Sequence, residues 1–333
     1  MFKFVHRPAL HRLEYTPHDE DERVILSDAL RCLQGIRNRV CVDSNSTNWQ
    51  SLGTSAGQRS GTWGDQLNKF CRKAKHIYEE LGPWAADYFI FESITALKKS
   101  ADDGSDMFSG WRDSTKTTLL KTLDQDALSR RTENSDRAGL LISPKVQRLI
   151  EFLRQQDRSD CSGLLFVRQR ATVSVLCTLL SIHPQTKGRF QCATFVGLSN
   201  NASKKYTLSE LFDLKAQRDT MTEFRARRKN LIIATDVLEE GIDVAACNLV
   251  VCFDPPQNLK SFIQRRGRAR KEQSNFAIMI AQGDKLSKID AWQVLEQELI
   301  REYQSDVRRL QKVIAPESTE EAMDERLEVP STG

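Results

Sequence analysis

The sequence has no long apolar run: none of its segments approaches the roughly 18 residues that a membrane-spanning helix requires. Its first residues, MFKFVHRPALHRL, lack the continuous apolar core of a secretory signal. No internal repeat stands out. These absences lead us to expect an intracellular protein, cytoplasmic or nuclear, that has no membrane partner.

Cysteine pairs of the kind that bind zinc are also missing. The chain has eight cysteines, but no Cys-x-x-Cys pair occurs and most thiols lie in apolar runs such as VSVLCTLL. Reduced thiols in a buried core are therefore favoured over a disulfide framework or a zinc site. We expect this chain to bind no metal ion.

The overall charge decides little about partners. A net charge of +4 permits a polyanion such as nucleic acid, but a solvated surface produces the same balance. Local clustering of charge is therefore more informative than the total. At 333 residues the chain is expected to contain more than one domain.

Helical patterns dominate the first part of the chain. Residues 1–17 are predicted to be an extended N-terminal segment, because Pro8 biases the residue before it away from helix. Residues 18–139 are predicted to form an all-helical bundle, because apolar side chains recur there at three-to-four spacing. Its helices are expected at about 18–41, 63–81, 83–100 and 115–131. Their aromatic side chains are interpreted as bundle core rather than as a ligand-binding box.

Residues 140–289 alternate between short apolar runs and helical patterns, which predicts a parallel α/β sheet covered on both faces. Strands are expected at 163–167, 189–196, 231–234, 249–253 and 276–280, and helices at 144–156, 171–182, 209–227 and 258–265. In such sheets the chemistry lies at the carboxyl ends of the strands. Arg168, Thr235 and Asp254 fall at these ends.

A single long amphipathic pattern follows the sheet. It predicts a helical arm over residues 290–314, with apolar side chains at three-to-four spacing along one face. Residues 315–333 are acidic and are expected to be a disordered tail.

Arginines cluster in the stretch QRRGRAR, which runs from Gln264 to Arg270. Arginine is always charged and binds phosphate oxygens in fork geometry, so the cluster suits a polyphosphate. A solvated basic face would show the same charges. The acidic stretch ATDVLEEGIDV favours the phosphate site, because it follows a predicted strand of a nucleotide-type sheet. On its own that stretch is also compatible with a capped surface turn.

These residues resemble two motifs of superfamily-2 helicases. ATDVLEEGIDV is similar to motif V, and QRRGRAR is similar to motif VI in its Gln-x-x-Gly-Arg-x-Arg form. GLLFVRQR resembles motif IV, and the pieces occur in the family's order. The resemblance covers about residues 141–285. It implies the second RecA-like domain of a helicase, a sheet of the nucleoside-triphosphatase type.

The arrangement around that domain resembles one subfamily more closely. A helical bundle before it and a long helix after it match the insertion bundle and the V-shaped arm of Dicer and retinoic-acid-inducible RNA sensor helicases. The opening His6-Arg7-Pro8 and the stretch FIQRRGRARKEQSNF look most like fungal Dicer-like proteins. This likeness implies an ATP-dependent helicase or translocase that acts on double-stranded RNA in RNA silencing.

The family pattern implies a nucleotide site shared with another domain. Arg268 and Arg270 would act as arginine fingers on the γ-phosphate of ATP. Gln264 would support the same site. Gly241 and Asp243 would face the ribose and the phosphates. The Mg²⁺ ion would be held by the partner domain.

The same pattern implies contacts with RNA. Thr235, Arg168 and the backbone near Gly197 would contact its sugar-phosphate backbone. Contacts of this kind read shape rather than sequence and are sensitive to salt.

The sequence also departs from the family. Neither the Walker A motif Gly-x-x-x-x-Gly-Lys-Ser/Thr nor an Asp-Glu-x-His motif occurs in these residues. We therefore expect no ATP hydrolysis without a first RecA domain, in cis or in trans. Two alternatives stay open: a non-catalytic RNA- or protein-binding module derived from such a helicase, and a piece of a DNA-acting superfamily-2 helicase.

Overall fold

A six-stranded parallel sheet lies at the centre of this structure, a computed structural model. It describes residues 7–17, 28–43, 63–102, 140–156, 159–196, 220–239, 244, 246–284 and 287–314. The chain divides into two compact units, Met1–Asp284 and Lys285–Gly333. The first unit contains the sheet and the helices that cover it, and the second contains one long helix.

The strands all run parallel, in the order β1-β6-β5-β2-β4-β3. Their bounds are β1 Ala9–Tyr15, β2 Gly163–Phe166, β3 Cys192–Phe195, β4 Leu231–Ala234, β5 Leu249–Cys252 and β6 Asn275–Ala281. Strands β2, β4 and β5 read GLLF, LIIA and LVVC, and every residue in them is buried. Such continuous apolar strands are typical of a parallel sheet that is covered on both faces. The RecA-like α/β fold expected from the sequence is therefore confirmed.

Helices of the first unit cover this sheet. Their bounds are α1 Asp28–Asp43, α2 Trp63–Leu81, α3 Pro83–Asp102, α4 Pro144–Gln155, α5 Arg170–Ile182, α6 Thr220–Arg225 and α7 Leu259–Arg266. The second unit contains α8, Ser287–Ile314. Within α8 the apolar side chains of Val294, Leu295, Leu299 and Tyr303 are exposed. No helix among the described residues is long and apolar enough to cross a membrane.

Several predicted boundaries were wrong, and the structure shows the reason for two of them. Strand β3 begins at Cys192 rather than at Arg189, because the preceding residues form turns in which the Arg189 N–H donates to the Thr186 carbonyl at 3.1 Å. Helix α6 ends at Arg225 rather than at Arg227, because Arg227 adopts a left-handed backbone with a φ of 58°. The expected helix at 115–131 lies outside the described residues.

The N-terminal segment is part of the sheet. It was expected to be extended, and residues Ala9–Tyr15 form an edge strand that pairs with β6 in the register Leu10↔Phe276. Leu13 on this strand is buried in the core. The chain therefore enters the sheet before the helices α1 to α3 and returns to it afterwards.

Helices α1, α2 and α3 form a bundle around large apolar side chains. The rings of Phe70 and Phe89 lie 5.5 Å apart at its centre, and both are fully buried. The bundle also contacts the sheet layer, because the hydroxyls of Tyr88 on α3 and Thr178 on α5 are 3.4 Å apart. The aromatic side chains of this region are thus bundle core at Phe70 and Phe89, while Tyr88 is half-buried at the boundary with α5.

Candidate functional site

The carboxyl ends of three neighbouring strands meet at one edge of the sheet. The ladder continues past the strands, since the Val167 N–H donates to the Ala234 carbonyl at 2.8 Å and the Phe253 N–H to the Phe166 carbonyl at 2.9 Å. The residues that follow are Arg168 after β2, Thr235 after β4 and Asp254 after β5. The structure therefore brings these three residues to the same edge, as the sequence predicted.

Asp254 holds the loop that carries Arg168. Its Oδ2 accepts a hydrogen bond from the Arg168 backbone N–H at 2.6 Å. The side chain of Arg168 is exposed, whereas Thr235 retains only 5% of its accessible surface. Of the three predicted nucleic-acid contacts, Gly197 lies outside the described residues, and the side chain of Arg168 is much more accessible to a ligand than that of Thr235.

A short turn after β4 is bound to helix α7 by Glu239. This turn contains the 3₁₀ segment Asp236–Leu238, and the Glu239 Oε1 accepts from Arg265 Nε at 2.6 Å and from Ser261 Oγ at 2.7 Å. The ion pair is largely buried, with 7% of the Arg265 side chain and 13% of the Glu239 side chain exposed. Removing one partner of such a pair costs about 3–5 kcal/mol, because the other charge is left buried without compensation.

Arg265 also contacts the sheet. Its Nη1 donates to the backbone carbonyl of Asp254 at 2.9 Å, and its guanidinium carbon lies 5.0 Å from the centre of the Phe166 ring. One guanidinium therefore joins the turn after β4, the end of β5 and helix α7.

The two predicted arginine fingers have different surroundings. Arg268 has 9% of its surface exposed, and its Nη2 donates to the Glu239 carbonyl at 3.0 Å. Arg270 is exposed, its Nε donates to the Gly267 carbonyl at 3.2 Å, and its backbone N–H donates to the Cys247 carbonyl at 3.1 Å. Arg268 thus belongs, with Glu239, Ser261 and Arg265, to a set of contacts that we call the Glu239 cluster. Arg270 lies beyond the end of α7.

Comparisons with known proteins agree with this geometry. The model of the helicase conserved C-terminal domain matches residues 144–272. Dicer-like protein 2-1 of Aspergillus niger is 46% identical over 98% of this chain. Dicer-like protein 2 of Neosartorya fischeri is 43% identical and that of Aspergillus fumigatus 44% identical, each over 100% of this chain. The chain carries a superfamily-2 helicase C-terminal domain of the Dicer-like type.

The match covers only part of each relative. This chain spans about a quarter of their length: 24% of the Aspergillus niger protein and 25% of each of the other two. The crystal structure of the Pyrococcus furiosus Hef helicase domain is a neighbour with a TM-score of 0.39 and 20% identity, covering 87% of this chain and 58% of that one. This likeness is too low to carry an inference.

In this helicase domain the motif V and motif VI stretches are joined by the Glu239 cluster. Gln264 of motif VI lies half-buried in α7. Three predicted site residues, Gly197, Gly241 and Asp243, lie outside the described residues. Among the described residues no group of three or more His, Cys, Asp and Glu side chains is arranged to hold a metal ion.

Sequence reasoning missed Arg265 and Glu239 as the residues that hold the helicase motifs together. It interpreted the QRRGRAR stretch as a phosphate site and gave roles to Arg268, Arg270 and Gln264. A helical count would have shown that Ser261 and Arg265, four residues apart, lie on one face of α7. That signal identifies the face of α7, but not Glu239 as its partner.

Proposed function

We propose that this chain is the second RecA-like half of an ATP-dependent double-stranded-RNA helicase or translocase that acts in RNA silencing. The observation that carries the proposal is the Glu239 cluster. It holds the arginine-rich end of α7 against the turn after β4, beside the strand ends where sheets of this class bind ligands. Relatives named Dicer-like protein 2 support the choice of RNA as the substrate.

In this proposal the arginines complete a nucleotide site that a first RecA domain provides. When bound, ATP would supply the phosphoanhydride whose hydrolysis drives movement, and the first domain would hold its Mg²⁺. Arg268 and Arg270 would stabilise the negative charge at the γ-phosphate. The residues suit this ligand, because the exposed guanidinium of Arg270 has five N–H donors and the Gly267 carbonyl accepts from its Nε. In the same proposal Gln264, Gly241 and Asp243 would contact this nucleotide, as the resemblance to the helicase motifs implies.

The RNA lies along the carboxyl edge of the sheet in this proposal. The exposed Arg168 side chain contacts phosphate, and Thr235 and the backbone near Gly197 contribute further contacts to the sugar-phosphate backbone. Because these groups touch no base edge, affinity depends on duplex shape and on salt rather than on base sequence. The protein acts inside the cell, in the cytoplasm or the nucleus.

Titration of the chain with fluorescent duplexes tests the substrate. We expect double-stranded RNA to bind at least tenfold more tightly than double-stranded DNA of the same sequence, with single-stranded RNA weaker than the RNA duplex. The affinity for the RNA duplex should fall steeply with salt. Tight binding to the DNA duplex together with none to RNA would instead identify a DNA-acting helicase piece.

One observation favours a second function, a non-catalytic binding module. The Arg268 guanidinium is largely buried and donates to the Glu239 carbonyl, so in this structure it serves the internal cluster. In a module that only binds RNA or protein, Arg268 would need only this structural role and no contact with ATP. ATPase activity in the presence of a first RecA domain distinguishes the two functions, since the module would remain inactive.

A further inference from the structure

A buried lysine joins the helical bundle to the site. Lys145 lies in the first turn of α4 and retains 4% of its side-chain surface. Its Nζ forms an ion pair with Glu80 Oε2 at the end of α2, and lies 3.5 Å from Asp254 Oδ1 at the end of β5. The ammonium also lies 4.1 Å from the centre of the Phe253 ring and 5.3 Å from that of Tyr15.

Hydrogen bonds of Ser143 fix the end of α2 against the start of α4, and so fix the positions of Glu80 and Lys145. Ser143 caps α4, since its Oγ accepts from the Val146 N–H at 3.1 Å. The same residue binds the end of α2: its Oγ donates to the Glu80 carbonyl at 2.6 Å and its N–H to the Leu81 carbonyl at 3.0 Å. The end of α2 and the start of α4 are therefore one junction, and Lys145 extends from it to the sheet edge.

The energetics indicate a role beyond stability. Burying an ammonium is costly, and a well-packed apolar side chain is often at least as stabilising as a buried ion pair. Burial alone would lower the pKa of Lys145, but Asp254 and Glu80 outweigh it and the pKa is raised above its ordinary value. Lys145 thus stays charged between two carboxylates from different parts of the chain.

Asp254 links the Lys145 ammonium to the candidate functional site, because it contacts residues on both sides. Its Oδ1 faces Lys145, its Oδ2 accepts from the Arg168 N–H, and its carbonyl accepts from Arg265. A larger share of the ammonium for Glu80 would leave more of the negative charge of Asp254 for the Arg168 N–H. Loss of the Glu80 charge would let Lys145 pair fully with Asp254 and would weaken that hydrogen bond.

We propose that Lys145 is a positioning residue. Because its ammonium is shared between Glu80 and Asp254, it couples the helical bundle of α1 to α3 to the loop that carries Arg168. The proposal deepens the proposed function, because it makes the bundle a regulator of the RNA contact at Arg168. A protein or RNA that displaces the end of α2 would then change how firmly the Arg168 loop is held.

Hydrogen exchange of the Arg168 backbone N–H, measured on the full chain, tests this coupling. We expect Glu80→Gln to speed that exchange about threefold and Asp254→Asn about tenfold, with the amides inside β5 unchanged. Glu79→Gln is the matched control, because Glu79 is the exposed neighbour that pairs with Lys75 and not with Lys145. The control should exchange as the unmodified chain does.

The outcomes separate the coupling from simple destabilisation. Unchanged exchange at Arg168 in Glu80→Gln overturns the proposal, as does an equal increase at Arg168 and throughout β5, or an increase in the control. Adding Glu80→Gln to Lys145→Met should have no further effect at Arg168, since the link is already cut. If Lys145→Met does not fold, the Glu80 and Asp254 variants decide the question by themselves.

RNA affinity in the same variants keeps this proposal distinct from the proposed function. If the unmodified chain binds no RNA, the proposed function fails, while the exchange result still decides the coupling. If it binds RNA and Glu80→Gln changes neither exchange nor affinity, the coupling alone fails. We expect Glu80→Gln to weaken binding of double-stranded RNA about threefold and Glu79→Gln to leave it unchanged.

Discussion

Glu239 and Arg265 are joined by a buried ion pair in which Oε1 and Nε lie 2.6 Å apart. This pair connects the turn after β4 to helix α7, and the Glu239 carbonyl extends the connection to Arg268. Contacts of Glu239, the last described residue before residues 240–243 of the motif V stretch, therefore link that stretch to the motif VI stretch.

Glu239→Gln should destabilise the domain by about 3 kcal/mol. The substitution leaves the Arg265 guanidinium buried without its counter-charge, and such a loss is much larger than the net value of the pair. Urea unfolding measures the change. Glu272→Gln, at an exposed position, is the control and should stay within about 0.5 kcal/mol of the unmodified chain. Equal unfolding midpoints for the two variants would contradict the role given to Glu239.

Gly82→Ala should cost more than about 2 kcal/mol of unfolding free energy. Gly82 lies between α2 and α3 with a φ of +102°, and an added Cβ would lie 2.6 Å from the Ser143 nitrogen. The Ser143 backbone cannot move away from the added Cβ, because the Ser143 N–H donates to the Leu81 carbonyl at the end of α2. Gly35→Ala, with nothing within 4 Å in helix α1, should instead gain about 1 kcal/mol. Thermal melts of both variants show whether the signs are opposite.

The domain should lose stability as the pH rises above 9. Burial raises the pKa of the Cys177 and Cys252 thiols to about 11 and that of Cys247 to about 12, from an ordinary value of 9.0. A group whose pKa is higher in the folded state contributes full stability below its unfolded pKa and loses it as the pH rises through the folded value. Deprotonation of each thiol should therefore lower the free energy of unfolding by about 1 kcal/mol at pH 10 relative to pH 8.

Denaturant unfolding at pH 8 and pH 10 measures that loss. Cys252→Ala should lower the starting stability but reduce the difference between the two pH values by about 1 kcal/mol. An unchanged difference in this variant would show that the Cys252 thiol does not respond to pH as its burial implies.

Arg168→Gln should weaken binding of double-stranded RNA and reduce the slope of log affinity against log salt by about 1. The reason is that one exposed guanidinium at the carboxyl edge of the sheet contributes one phosphate contact. Arg154→Gln removes another exposed charge at the end of α4, near the amino end of β6, where Asn275 donates to Gln156 Oε1 at 2.8 Å. It should leave the slope unchanged, and a matching decrease in this variant would indicate nonspecific attraction.

Much of the sheet could be predicted from local patterns. GLLF and LIIA are fully apolar, so they indicated buried strands, and the rule about carboxyl ends then placed Arg168 beside Thr235. These inferences need only the order of the elements along the chain.

Contacts between distant residues could not be predicted in this way. Strand β1 pairs with β6 across more than 250 residues, as the bond between His11 Nε2 and Asn275 Oδ1 shows. The ion pair of Lys145 with Glu80 likewise depends on how α2 is placed against α4. Periodicity indicates which face of an element is buried, but not which charged side chain it meets. Which charged side chain is met there depends on how the elements pack in the tertiary structure.

The most direct test of the whole account is RNA-stimulated ATP hydrolysis by two domains in trans. A first RecA domain that carries a Walker A motif and an Asp-Glu-x-His motif, taken from a fungal Dicer-like protein, is mixed with this chain. We predict hydrolysis only in the mixture, and a loss of at least about 10³-fold with Arg270→Gln. Arg270 is chosen because it is exposed, so its replacement spares the Glu239 cluster. Hydrolysis that persists in Arg270→Gln, or a mixture that stays inactive with RNA bound, would contradict the account.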